Sequence, residues 1–381
     1  MPRTILFHSL RHLTLQSSPT VWVLVEGERL LAMGKGESWR EELTADQLAS
    51  TQVREAHDWL LAPGFTDIHC HGGGGTAFED APDVAPALRV HGQAGTSALV
   101  ASLVSNPLEQ MQASMAQLLP LMDQKVPGQA RLVGFHAEGP FISPAHKGAH
   151  APEALRTPTP DALEQLWEAS EGRLLQITLA PETDPGLVTL QRCVELGIKV
   201  AVGHTDATYD QAKAAFDEGA SLLTHTFNAM RPLHHRQPGP VAAAVDSPHV
   251  TLEVICDGVH VHGPMVRAAF ALAPGRVALV TDAMAAAGCA DGPYRLGSLA
   301  VEVQDSIARI RGTETIAGST LTLARAVEQA VAFGIPLTEA ARAATSVPTA
   351  ALGLAEPTDS YALLGADGSL QGVFQARACI A

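Results

Sequence analysis

The sequence predicts an α/β protein, a (β/α)8 TIM-like barrel carrying a small β domain formed from both chain ends. Three observations predict it. From Asp67 onward, apolar β-branched runs alternate with Ala/Leu/Glu-rich stretches of helical length, the pattern of βα units around a parallel sheet. The runs number eight, at 65–69, 96–105, 131–137, 174–180, 198–202, 221–226, 250–256 and 276–281, in a chain of 381 residues. That length accommodates one barrel of about 250 residues and a smaller unit. Nearly every run then ends in a polar cluster: DIHCH, SLVSN, FHAEGP, TLAPE, GHTDA, THTFNAM, ICDGVH and VTDAM. A doubly wound sheet explains the alternation too. Polar clusters at so many strand ends favour the barrel, whose chemistry sits at the C-terminal face.

Residues 1–60 hold short β-like runs such as VWVLVEG at 21–27 and are assigned to the N-terminal part of the small β domain. The barrel is assigned to 61–350, with helices over 85–94, 109–122, 161–171, 186–197, 208–219 and 263–273. Beyond residue 300 the pattern is less regular. AGSTLTLARAVEQAVAF at 317–333 reads as a helix with Ser319 or Thr320 near its start, and 337–352 as a further helix interrupted by Pro348. Residues 351–381 are the C-terminal part of the small domain, with β-like runs in 360–378 separated by the turn ADGS.

Composition narrows the function. Lys plus Arg total 25 against 40 Asp plus Glu, a formal charge of -15. That sign is wrong for a broad polyanion-binding surface, so nucleic acid is excluded as the expected partner. A small anionic substrate is not, because a few buried donors define a pocket whatever the total charge. Met1–Leu10 has one Arg and a short apolar run, but the residues after it lack a signal-peptide core and cleavage site, and no stretch reaches the roughly 20 apolar residues that cross a bilayer. A soluble cytoplasmic protein with no membrane partner is expected. The five Cys are widely spaced with no CxxC, which points to small buried residues rather than disulfides or a thiolate zinc site.

Chemistry concentrates at the strand ends. His69 and His71 lie two apart, so in extended geometry they share one face, just before the flexible Gly72–Gly75 loop. Glu138 closes RLVGFHAE at a turn, where a carboxylate is costly unless paired with a base or bound to a metal. His136, two residues earlier, reads as a core or supporting histidine. His204 follows IKVAVG and His225 follows SLLT. Two imidazoles and a carboxylate are a standard catalytic ligand set for a divalent metal, making Glu138, His204 and His225 the most economical site. Asp282 ends RVALVTDAM. A carboxylate there can accept a proton from a metal-activated water and pass it to a leaving group, ligate a second metal beside His69 and His71, or cap the last loop.

The segments PGFTDIHCHGG (63–73), GFHAEGPFISPAHKGAH (134–150), GHTDATYDQA (203–212), THTFNAMRPLHHR (224–236), DGVHVHG (257–263), LVTDAMAAAG (279–288) and AGSTLTL (317–323) together carry a resemblance. The chain resembles the amidohydrolase superfamily and, within it, the N-acetylglucosamine-6-phosphate deacetylase family. HxH alone is a superfamily signal, whereas the ordered HxEGPF, GHT, HTFNAM, DGVH and VTDAM set is specific to the deacetylases. The resemblance implies hydrolysis of N-acetyl-D-glucosamine 6-phosphate to D-glucosamine 6-phosphate and acetate. It implies one or two divalent cations per subunit (Zn2+, Fe2+, Mn2+ or Co2+), on Glu138, His204 and His225 with His69 and His71 available for the second. It assigns Asp282 as catalytic base and acid and His150 to the acetyl carbonyl. Asn228, Ala229 and His260 become sugar-phosphate contacts. Arg236 would reach the neighbouring site of a homodimer.

Two other classes compete. Cyclic-amide hydrolases and deaminases share HxH, later histidines and a terminal aspartate, but commonly lack the EGPF and HTFNAM combination, and many use a bridging lysine. Lys147 is not at an expected strand end. A non-catalytic sugar-phosphate or metal-binding protein would keep the pocket without needing Asp282. The family's usual C-terminal stretch is replaced by GLAEPTDSYALL running into GADGSLQGVFQARA, so the last strands are expected to be short or differently paired.

Overall fold

Eight parallel strands, Phe65–Cys70, Thr96–Val104, Arg131–Glu138, Leu174–Leu179, Lys199–Val202, Leu222–Leu223, Thr251–Ile255 and Val277–Val280, pair in chain order. These are the eight runs expected from the sequence. The computed structural model describes residues 4–14, 20–79 and 83–376. Closure between first and last strands comes just beyond the ladder, where the Asp282 N–H donates to the His69 carbonyl (2.8 Å) and the His71 N–H to the Ala283 carbonyl (2.7 Å). The barrel is thus nearly closed, and its closing bonds are made by site residues.

Both faces of each strand are covered, which is why the runs are continuously apolar rather than alternating. Phe65–Cys70 is buried throughout. Its outward residues meet helices: Thr66 Oγ1 lies 2.8 Å from Thr349 Oγ1, and Cys70 Sγ 3.3 Å from His91 Nε2. Asp67 and His69, in the opposite phase, face the axis.

The six helices expected between residues 85 and 273 are present, as Ala85–Gln93, Leu108–Leu118, Pro160–Ala169, Val188–Glu195, Tyr209–Asp217 and Gly263–Leu272. Tyr209–Asp217 shows why one starts where it does. Thr208 Oγ1 accepts the Gln211 N–H while Gln211 Oε1 accepts the Thr208 N–H, a reciprocal cap, and Ala212, Ala215 and Phe216 form the buried face. A further helix, Gly239–Val245, was not foreseen. The helix expected over 337–352 is two, Leu337–Ala343 and Ser346–Ala351, broken at Thr345 rather than at Pro348. Pro348 falls in the first turn of the second helix, where a missing N–H costs nothing.

Another unforeseen element is a three-stranded antiparallel sheet, Gly292–Leu296, Leu299–Gln304 and Ile307–Ile310. Its inner face, with Leu296, Val301, Val303 and Ala308, packs on Val104, Met284, Ala286 and Ala317, and so braces the loop that follows Asp282.

The chain ends do combine. Ser360–Leu364 and Leu370–Ala376 form a hairpin that pairs antiparallel with Leu60–Pro63 and parallel with Arg29–Lys35. With Thr4–His12, Val21–Glu26 and Thr51–Glu55 they make a separate mixed sheet of seven strands around Phe7, Leu10, Val23, Leu61 and Phe374. The atypical C-terminal sequence therefore still delivers a paired hairpin. Cys70, Cys193 and Cys256 are buried and Cys289 is exposed, while Cys379 lies outside the described residues. Among the described residues no helix is long and apolar enough to cross a membrane.

Candidate metal centre and active site

Glu138 is the hub. Its Oε1 lies 3.2 Å from Nε2 of both His204 and His225 and 3.4 Å from Nε2 of His69, and its Oε2 lies 3.3 Å from Nε2 of both His71 and His150. Asp282 Oδ1 lies 3.3 Å from His71 Nε2 and 3.6 Å from His69 Nε2. The ring nitrogens also crowd one another, at 2.9 Å for His204 and His225 and 3.3 Å for His69 and His71. All seven side chains are buried. The fold thus brings together five expected metal residues and both expected catalytic ones.

The backbone places three of them in an uncommon way. His204, His225 and Asp282 each have positive φ (47°, 25° and 47°) directly after a barrel strand. Left-handed backbone is unfavourable for these residues and persists only where surrounding structure holds it. Here it turns the side chains back over the barrel mouth.

The charges fit a divalent cation. Burial alone would push the Glu138 and Asp282 carboxyls up. Instead Glu138 is held well below its usual range by His69 and by hydrogen bonds from His150, His204 and His225, and Asp282 is lowered to about 2 by His69 and His71. Two carboxylates so placed need positive charge beside them. Among the described residues, protonated imidazoles beside the carboxylates supply it: against the opposing effect of burial, Asp282 and Glu138 raise His69 to about 10, and both carboxylates raise His71 well above its ordinary value. A divalent cation brings the same charge to the same place, with the imidazoles as neutral ligands. Their outer nitrogens support this. His69 Nδ1 lies 3.1 Å from Glu253 Oε2 and His204 Nδ1 2.9 Å from the His146 carbonyl, so each ring keeps its proton on Nδ1 and offers the Nε2 lone pair inward.

A pH dependence follows. His69 is protonated up to about pH 10 without the cation and must be neutral to ligate, so the metal-bound state holds fewer protons and gains affinity as pH rises. Apparent affinity between pH 6 and 8 is expected to climb by about tenfold per pH unit for each proton displaced. Calorimetric metal titration in buffers of different ionisation enthalpy reads that proton count, and a flat profile with no proton release would refute it.

His150 is set up as a donor. The Ser105 N–H points at its Nδ1 (3.2 Å) and Ser105 Oγ is 2.9 Å away, so Nδ1 accepts and the proton sits on Nε2, facing Glu138. Burial and the neighbouring His204 lower its pKa to about 4. It is therefore a neutral imidazole with its N–H aimed into the site.

The remaining expected residues divide. His260 is half-buried, its Nδ1 2.7 Å from Asp257 Oδ2, and against burial Asp257 raises its pKa. Asn228 turns its amide onto the carbonyls of His225 (3.2 Å) and Thr226 (3.4 Å). Ala229 has a φ of 48° and its carbonyl accepts the Thr205 N–H. Arg236 is exposed, donating to His235 Nε2 at 2.8 Å, and this chain's own fold does not bring it to the cluster.

Several supporting residues were missed. Asp67 braces the first and last strands, accepting from Thr281 Oγ1 (2.7 Å) and the His69 N–H (3.3 Å). Glu79 Oε1 accepts the Val104 N–H at 3.0 Å and lies 3.5 Å from His71 Nδ1. Glu253 backs His69. His136, by contrast, was expected as a core or supporting histidine and is one, between Ser102 Oγ (2.9 Å) and Thr178 Oγ1 (2.8 Å), and burial and His69 hold its pKa well below the usual value. A lone acid inside the apolar run TLEVI was the available signal for Glu253.

Known proteins match this arrangement. The amidohydrolase family profile matches residues 60–360. An N-acetylgalactosamine-6-phosphate deacetylase from Escherichia coli is 36% identical over 305 residues, covering 79% of this chain and 80% of that protein. An N-acetylglucosamine-6-phosphate deacetylase from Vibrio furnissii is 34% identical over 336 residues, 84% of each. The solved structure of a mutant N-acetyl-D-glucosamine-6-phosphate deacetylase from Mycobacterium smegmatis, in complex with N-acetyl-D-glucosamine-6-phosphate, is similar with a TM-score of 0.85 at 36% identity over 98% of both chains. With the barrel, the strand-end histidines and the terminal aspartate in place, these matches show that the chain belongs to the amidohydrolase family.

Proposed function

We propose that this chain deacetylates N-acetyl-D-glucosamine 6-phosphate, giving D-glucosamine 6-phosphate and acetate. The observation that carries the reading is the convergence of Glu138, His204, His225, His69 and His71 with Asp282 and a donor-configured His150 in one buried cluster. The deacetylase names of the relatives supply the substrate class.

Glu138, His204 and His225 would hold the principal cation, with His69 and His71 available for a second. When bound, a divalent cation polarises the amide carbonyl and lowers the pKa of a water. Asp282, kept as a carboxylate by His69 and His71, accepts the water's proton during attack on the acetyl carbon and returns it to the departing nitrogen. The His150 Nε2–H donates to the carbonyl oxygen as negative charge develops there. The C–N bond breaks, the acyl carbon leaves as acetate and the nitrogen as an amine. Asn228, the Ala229 main chain and His260 contact the sugar phosphate. Arg236 of the partner subunit completes the phosphate site in a homodimer, the arrangement that gives an exposed arginine on this loop a role.

Many enzymes of the competing cyclic-amide class use a bridging lysine. Lys147 instead turns its ammonium to the Gly148 and His150 carbonyls (3.4 Å each). A panel of N-acetylglucosamine 6-phosphate, N-acetylgalactosamine 6-phosphate, unphosphorylated N-acetylglucosamine and a cyclic amide tests the reading. The first is expected to have the highest kcat/KM; preference for the galactosamine ester would reassign the sugar, and preference for the cyclic amide would reject the reading. In the same panel, Arg236→Ala should raise KM for the phosphorylated sugars by about 10- to 100-fold, the worth of a charge-assisted hydrogen bond. Equal losses with the unphosphorylated sugar would make Arg236 structural.

A further inference from the structure

We propose that Glu253 is the positioning residue that makes His69 a metal ligand and ties it to His225, so that one carboxylate serves both halves of the centre. The proposal rests on the reading of this cluster as a metal centre. Glu253 lies on Thr251–Ile255 and is fully buried among the axial side chains. Its Oε2 accepts two hydrogen bonds, from His69 Nδ1 at 3.1 Å and from the His225 main-chain N–H at 3.3 Å. Its Oε1 accepts from Gln176 Nε2 across the barrel at 2.6 Å.

Each contact has a consequence. Holding the proton on His69 Nδ1 leaves the Nε2 lone pair facing Glu138 and His71, and a carboxylate in this place raises the ring's strength as a ligand. The contact to His225 fixes a turn whose φ is 25°, where the backbone does not hold itself. The imidazoles differ in this support. His204 is backed by a neutral carbonyl, and His225 Nδ1 has no partner among the described residues. His69 Nδ1 is backed by the Glu253 carboxylate at 3.1 Å, whereas His71 Nδ1, 3.5 Å from Glu79, makes no hydrogen bond among the described residues. Hydrogen-bonded carboxylate support thus falls on His69, in the half of the centre that one-metal chemistry does not require.

The test is cobalt titration of chelator-treated protein, followed by the visible absorption of bound Co2+ and by metal content per subunit, with thermal unfolding alongside. Glu253→Gln keeps the shape, and a turn of the Gln176 amide leaves the new amide paired. It is expected to unfold within a few degrees of wild type while binding cobalt about 10- to 100-fold more weakly. Gln176→Leu removes the cross-barrel bond but leaves Glu253 on both histidines, and is expected to bind cobalt as wild type does even at a lower unfolding temperature. Wild-type affinity and stoichiometry in Glu253→Gln would overturn the proposal, as would equal weakening in both variants in step with their stability. Should Glu253→Gln not fold, the exchange Glu253→Gln/Gln176→Glu preserves net charge and all three hydrogen bonds, and the same weakening is expected. A wild type that takes up no cobalt would instead remove the metal-centre reading, and the proposal with it.

Discussion

Asp282→Asn is expected to lower turnover by about a hundredfold to ten-thousandfold, the usual contribution of a positioned acid–base group, with metal content close to wild type. The substitution is well suited to isolate proton transfer. Asn tolerates the left-handed backbone that Asp282 adopts at φ 47°. The main-chain anchors, from Asp282 N–H to the His69 carbonyl (2.8 Å) and from Ser319 N–H to the Asp282 carbonyl (2.7 Å), do not involve the side chain. What is lost is a carboxylate held at about 2 by His69 and His71, hence ready to accept a proton throughout the neutral range. Acetate release by metal-loaded variant and wild type, with metal content measured on the same samples, checks it. Undiminished turnover would reject the acid–base role, and a loss of metal in proportion to the loss of turnover would make Asp282 a ligand instead.

Glu138→Gln is expected to remove both metal and activity. This one side chain touches Nε2 of His69, His71, His150, His204 and His225, all between 3.2 and 3.4 Å. Gln has the same shape, but it carries no charge and turns an N–H donor toward nitrogens that must present lone pairs. A bound cation contributes several kcal/mol to the transition state, at about 1.4 kcal/mol per factor of ten. Turnover should therefore fall by about a thousandfold or more. Metal analysis after dialysis, and acetate assays with and without added metal, measure the two losses separately. A variant that keeps wild-type metal and turnover would remove Glu138 from the centre.

Much of this architecture was legible because each part leaves a local mark. Parallel barrel strands read as unbroken apolar runs, and a His, Glu or Asp directly after such a run stands out. That is how Glu138, His204, His225 and Asp282 could be placed, and the structure puts all four in contact range of one cluster. Other parts leave weaker marks. Gly239–Val245 is short and begins with Gly-Pro, so it reads as loop. The strands from Gly292 to Ile310 are half-exposed, with Val301 and Val303 inward and Glu302 and Gln304 outward, in a region where the barrel's own rhythm has ended. Asp67 and Glu253 are single acids whose partners lie far along the chain, Asp67 and Thr281 being 214 residues apart and His69 and Glu253 184. Only the folded barrel brings them together. Arg236 is a different case, because its expected partner is another copy of the chain.

Acetate released from N-acetyl-D-glucosamine 6-phosphate, followed as the protein is loaded stepwise with a divalent metal, measures turnover and its dependence on the metal together. Deacetylation at this metal centre requires acetate and glucosamine 6-phosphate to appear in equal amounts, at a rate that rises with metal content and is abolished by chelation. Protein that binds both metal and the sugar phosphate but releases no acetate would contradict it.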